Sequence, residues 1–96
     1  MQKTPHKILD DLLGGDISLS NLLKWYDNHG ELMSVILHLL RDDNIEIFKI
    51  HDKTKTKINI WEIENIARQA SGNKISIEST KDILISITDK GASIIT

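Results

Sequence analysis

Four histidines, His6, His29, His38 and His51, are the side chains best suited to proton transfer or metal ligation in this chain. Holding a metal on one helix face takes two ligands at an i, i+4 spacing, and no pair of the four has it. Two adjacent carboxylate pairs, Asp10-Asp11 and Asp42-Asp43, would suit general acid–base work if they converged on one point. Neighbouring residues on a helix point apart, and both pairs stand near predicted helix ends among polar residues, so solvated surface is the plainer expectation. Gly14-Gly15 has neither a preceding strand nor a following Lys-Ser, as a phosphate loop needs, and no serine sits in a Gly-x-Ser-x-Gly turn. The absence of cysteine excludes disulfides, thiolate metal sites and cysteine nucleophiles together. The chain is expected to be no enzyme and to need no metal or cofactor.

Binding is the chemistry that remains. The segment Glu31 to Arg41 places Leu32, Val35, Ile36, Leu39 and Leu40 at i, i+3, i+4, i+7 and i+8, the spacing of one buried helix face. Glu31, Met33, Ser34, Leu37, His38 and Arg41 are left to face outward, flanked by Asp27, Asp42 and Asp43. One permanent cation among so many acids suits a basic or mixed protein partner better than a polyanion, and Met33 and Leu37 are expected to give the face an apolar centre. Residues 1–48 carry four Lys or Arg against eight Asp or Glu, whereas residues 49–96 carry eight against six. Such a field can steer a charged partner.

The second half holds a stretch of opposite character. Lys49, Lys53, Lys55 and Lys57 are interspersed with His51, Asp52, Thr54 and Thr56, and on an extended loop Lys53, Lys55 and Lys57 would share one side. That comb could neutralise a few phosphates, although lysines that keep a strand edge soluble are the plainer reading. No aromatic residue lies among them to stack on single-stranded bases.

Positioning these residues falls to one domain, residues 1–96, long enough for a modest core filled mainly by Ile and Leu. Thr4 and Pro5 suit the start of a first helix with Ile8, Leu9, Leu12 and Leu13 on its apolar stripe, stopped by Gly14-Gly15. Ser18 can cap a second helix carrying Leu19, Leu22, Leu23 and Tyr26, closed by Asn28-His29-Gly30 before the third. Ile45 to Ile50 reads as a strand. Asn59 and Glu62 then have the form of a capping box, with Ile58 and Ile63 placed as a hydrophobic staple, so a helix begins near Ile60 and ends at Ser71-Gly72-Asn73. Lys74 to Glu78 and Ile83 to Thr88 are expected to form a hairpin. Trp25 is expected to pack on the first helix, or else to stand half exposed as an interface anchor. Trp61 is expected to fold back over the strands, shielding Ile58 and Phe48. The longest apolar run is far shorter than a membrane span and the N-terminus lacks the apolar stretch of a signal peptide, so the cytoplasm is the expected location.

Three helices, a strand, an interposed helix and a closing hairpin make an α+β fold. Within that order, Leu39-Leu40-Arg41-Asp42-Asp43-Asn44-Ile45-Glu46-Ile47 resembles the passage from the third helix into the wing of winged helix-turn-helix domains. Ile87-Thr88-Asp89-Lys90-Gly91 resembles the Leu-Thr-x-Lys-Gly that often closes the wing's return strand in that family. The resemblance implies a three-helix winged-helix-like domain with a small antiparallel sheet and one additional helix, and it implies DNA binding through the third helix. The chain departs from the family where Glu31, Met33 and Leu37 stand in place of hydrogen-bond donors. Ending at Thr96, it is also expected to lack the long C-terminal helix through which many such regulators dimerise.

Two functions are therefore expected from different classes. The first is a small non-catalytic protein-binding domain acting through Asp27, Glu31, Met33, Ser34, Leu37, His38, Asp42 and Asp43, as a monomer or homodimer. An immunity protein that neutralises a basic toxin or nuclease has these traits of size and charge. The alternative is a winged-helix transcriptional regulator that grips DNA through Lys49, Lys53, Lys55 and Lys57.

Overall fold

Side-chain caps and turn residues set most of the element boundaries. The computed structural model describes residues 4–71 and 80–95, which form α1 (Thr4–Leu13), β1 (Ile17–Ser18), α2 (Leu19–Trp25), α3 (His29–Arg41), β2 (Ile45–His51), β3 (Thr54–Lys57), α4 (Ile60–Ser71), β4 (Ile83–Ile87) and α5 (Asp89–Ile95). Ser18 Oγ accepts from the Asn21 amide at 3.3 Å and starts α2. Asn59 Oδ1 accepts from the Glu62 amide at 3.1 Å and starts α4, while Ile58 and Ile63 are both buried as a staple requires. Asn28 Oδ1 accepts from the Glu31 amide at 2.9 Å. Asn28 thus opens the third helix instead of helping to close the second, and His29 lies in its first turn with Nε2 2.8 Å from the Leu23 carbonyl. A side-chain oxygen at this position satisfies a free amide in the first turn of the helix that follows, which is the role Asn28 takes.

The described strands form an antiparallel sheet in the order β1-β4-β2-β3. Ile45, Ile47, Ile83 and Ile85 alternate onto its inner side, where they meet Ile8, Leu9 and Leu12 of α1, Leu22 and Leu23 of α2, and Leu32, Ile36 and Leu39 of α3 in one buried cluster. The fold is α+β, as the sequence implies. Two strands are not apparent from its pattern. β1 has only two residues, too few to show alternation. β3 is Thr54–Lys57, exposed along its whole length, so no apolar residue marks it. The predicted strand Lys74 to Glu78 and the stop at Gly72-Asn73 lie outside the described residues; among those described, β4 is bordered by β1 and β2. Leu13 departs from its expected stripe and stands 44% exposed at the end of α1. No described helix is long and apolar enough to cross a membrane.

One corner joins the end of α3 to the start of α5. Asp43 takes a left-handed backbone (φ 61°), its amide donating to the Leu40 carbonyl and the Asn44 amide to the Leu39 carbonyl, the paired bonds of a Schellman stop. The Thr88 hydroxyl donates to the Asp43 carbonyl at 2.6 Å and accepts from the Gly91 amide at 3.0 Å, so one side chain locks the corner and caps α5. Gly91 is pressed so close to Asn44 that an added Cβ would stand 2.1 Å from the Asn44 carbonyl oxygen. This contact gives Thr88-Asp89-Lys90-Gly91 its physical meaning: the glycine admits another segment's backbone.

Replacing Gly91 by Ala forces that backbone apart and is expected to destabilise the fold by about 2 kcal/mol or more, read as a lower chemical-denaturation midpoint. The β2–β3 turn makes the opposite case, because Asp52 (φ 49°) and Lys53 (φ 68°) both hold left-handed conformations. Lys53→Gly is expected to raise the denaturation midpoint, by about 0.5–1 kcal/mol in stability, since glycine takes the left-handed conformation without the strain a lysine Cβ brings.

Candidate functional site

The expected partner surface is built on α3, and α4 decides which of its residues reach solvent. α4 packs alongside α3, and Arg41 Nη2 binds Glu64 Oε2 at 2.9 Å across the seam. Leu37 and Arg41 line this groove with Glu64 and Ala67. At about 100° per residue, Met33 falls between Leu32 on the core stripe and Leu37 at the seam. Met33 is accordingly 0% exposed and Leu37 half-buried. This corrects the expectation that the two residues form an exposed apolar centre. A helix packed on two sides buries an arc wider than the single stripe of its first neighbour, and the second neighbour here is α4.

What α3 does expose is polar and mainly acidic. Glu31, His38 and Asp42 follow one another along the side turned away from both neighbours and Ser34 borders the α3–α4 groove near Arg68, with Asp27 just before the helix and Asp43 just after it, all exposed. His38 Nε2 lies 3.4 Å from Asp42 Oδ2 one turn on, an ion pair when the imidazole is protonated. Arg41 is the one guanidinium of the helix, and it is held by Glu64. Asp42 and Asp43 are fixed in place by the Schellman stop and the Thr88 contact with the Asp43 carbonyl.

The lysines stand on a hairpin, not on the loop expected for them. Lys55 and Lys57 share one face of β3, as predicted, but Lys53 belongs to the turn, and Lys49 faces Thr56 on the opposite side of the sheet. Lys55 Nζ lies 3.5 Å from Asp16 Oδ2 and 4.4 Å from the Phe48 ring centre. Lys57 Nζ lies 3.5 Å from Glu46 Oε2. Two of the four lysines therefore already face a carboxylate. Sequence reasoning missed these pairs because Asp16 and Glu46 come from outside the comb and meet it only once the sheet forms.

Both tryptophans are exposed, Trp25 at 58% and Trp61 at 76%. Trp25 stands half exposed instead of packing on α1. At that exposure Trp61 is not folded back over the strands as expected, and it is Lys55 whose Nζ lies over the Phe48 ring. Among the described residues no group of three His, Asp or Glu side chains could hold a metal ion. The Tyr26 phenol titrates in a perturbed environment. Burial, and secondarily the negative charge of Asp11, push its phenol above the ordinary value of 10.0, and its hydroxyl is enclosed without a hydrogen-bond partner among the described residues.

No protein-family model matches this chain, and comparison with curated proteins and with solved structures finds no match either.

Tyr26 yields a signed prediction. A phenol whose folded pKa is raised favours folding fully below the unfolded value of 10.0 and loses that contribution as pH rises through the folded value. Tyr26→Phe is expected to be neutral or stabilising near neutrality, because it removes an unpartnered buried hydroxyl, and to flatten the loss of stability at alkaline pH. Denaturation midpoints of both proteins across the alkaline range check this.

Proposed function

We propose that this chain is a non-catalytic protein-binding domain that meets a basic partner through the exposed side of α3. The observation that carries this reading is the Arg41–Glu64 pair, which occupies the helix's only guanidinium and leaves Asp27, Glu31, Asp42 and Asp43 to set the potential of that side. With Met33 withdrawn, the surface works by charge and hydrogen bonding, with Ser34 and His38 between the acids. Recognition of this kind is salt-sensitive and acts strongly on the association rate. A small domain that neutralises a cationic toxin or nuclease is the partner class that best fits its size and charge.

The alternative, a winged-helix regulator, draws support from the element order and from the way β1 borders β4 and β4 borders β2. Under that reading Lys49 and Lys53 would supply phosphate contacts, since neither takes part in a described ion pair. The acidic row on α3 and the carboxylates facing Lys55 and Lys57 oppose it.

Reversing Glu31 and Asp42 together to Lys is expected to weaken the affinity for a lysine-rich probe peptide at least about tenfold, a loss near 1.4 kcal/mol. Titration calorimetry at low and high salt measures it, and an unchanged affinity removes this surface from the account. Electrophoretic retardation of duplex DNA at low salt, relieved by Lys49→Ala with Lys53→Ala, is the outcome that would favour the regulator.

A further inference from the structure

The most exposed large apolar side chain of the described fold is Trp61, in the first turn of α4. Ile63 and Ile66 turn α4's other side to the core. At about 100° per residue the exposed side centres on Asn65, with Trp61 and Arg68 on one flank and Glu62 and Gln69 on the other. All five are exposed. Arg68 Nη1 donates to Asn65 Oδ1 at 3.1 Å, which holds the guanidinium near the middle of this side. Tryptophan and arginine are the residue types that most often anchor interfaces.

The side is complementary to itself. Trp61 and Arg68 are seven residues apart on the same flank, about 10.5 Å along the axis. When a copy of the helix is laid against it in the opposite direction, about a two-fold axis beside Asn65, each Trp61 comes opposite the other Arg68. The same operation brings each Glu62 opposite the other Gln69 and the two Asn65 amides together. Each guanidinium then meets an indole face in a cation–π contact. A parallel arrangement would leave Arg68 without that partner. We propose that the exposed side of α4 docks on the same side of a second copy of this chain, forming a two-fold dimer with Trp61 of each copy stacked on Arg68 of the other. This inference uses a different helix from the acidic row of α3 and stands or falls independently of the proposed function.

Sedimentation equilibrium of the full chain, from about 1 µM to 1 mM, tests the pairing; a contact of this small size places the transition within that span. The expected result is a mass rising from one chain toward two, with Trp61→Ala and Arg68→Glu each shifting the transition at least tenfold and Arg68→Lys shifting it less. Circular dichroism identifies variants that fold. Because the chain has no cysteine, Asn65→Cys gives a separate reading: oxidation is expected to link two chains through residue 65, whereas Lys24→Cys on α2 does not link them. A chain that stays monomeric throughout, a dimer indifferent to Trp61 and Arg68, or an Asn65→Cys protein that fails to cross-link would overturn the proposal.

Discussion

The packing of α4 along α3 is the constraint on which the surface of this protein depends. It widens the buried arc of α3 beyond a single stripe, draws Met33 wholly into the core and half-covers Leu37. It also supplies Glu64, which occupies Arg41. An α3 without this neighbour would present an apolar patch and a free guanidinium. With it, the helix presents carboxylates, a hydroxyl and an imidazole. The exposed ion pair itself contributes little to stability. Its consequence lies in the potential of the exposed side, because a cation at the end of that row is already matched.

The corner of Asp43, Asn44, Thr88 and Gly91 plays a different part. It fixes where α3 ends and where α5 begins, through one hydroxyl that both donates and accepts and one glycine that lets two backbones meet. The acids at 42 and 43 inherit a rigid position from it. The β2–β3 hairpin, by contrast, projects from the sheet edge with an exposed second strand and a left-handed turn at Asp52-Lys53. Lysines along such an edge hinder pairing with further strands, and those at 55 and 57 also face carboxylates within the chain.

Helix positions, two of the caps and the Ile-rich inner side of the sheet were legible because they depend on local spacing and on side chains within three residues of the groups they satisfy. Asn59, Ser18 and the staple of Ile58 and Ile63 are of this kind. What the sequence concealed depends on contacts between distant segments. The burial of Met33 is hidden from the sequence because the residue lies off the Leu32-Ile36-Leu39 stripe, on the arc of α3 between the core and the α4 seam, and the Lys55–Asp16 and Lys57–Glu46 pairs exist only in the assembled sheet. Trp61 was misread for the opposite reason: a large apolar residue is expected to find cover, and this one does not. The acidic members of the candidate surface, Asp27, Glu31, Asp42 and Asp43, were correctly placed outside because helical period and charge agreed there.

Under the proposed function the exposed side of α3 attracts cations and repels polyanions. Backbone amide shifts of the isotopically labelled chain, recorded at low salt during titration with a lysine-rich peptide and separately with duplex DNA, address it directly. The peptide is expected to move the amides of residues 27, 31, 34, 38, 42 and 43 while DNA leaves them in place. Movement of those amides by DNA, with the peptide without effect, would contradict it.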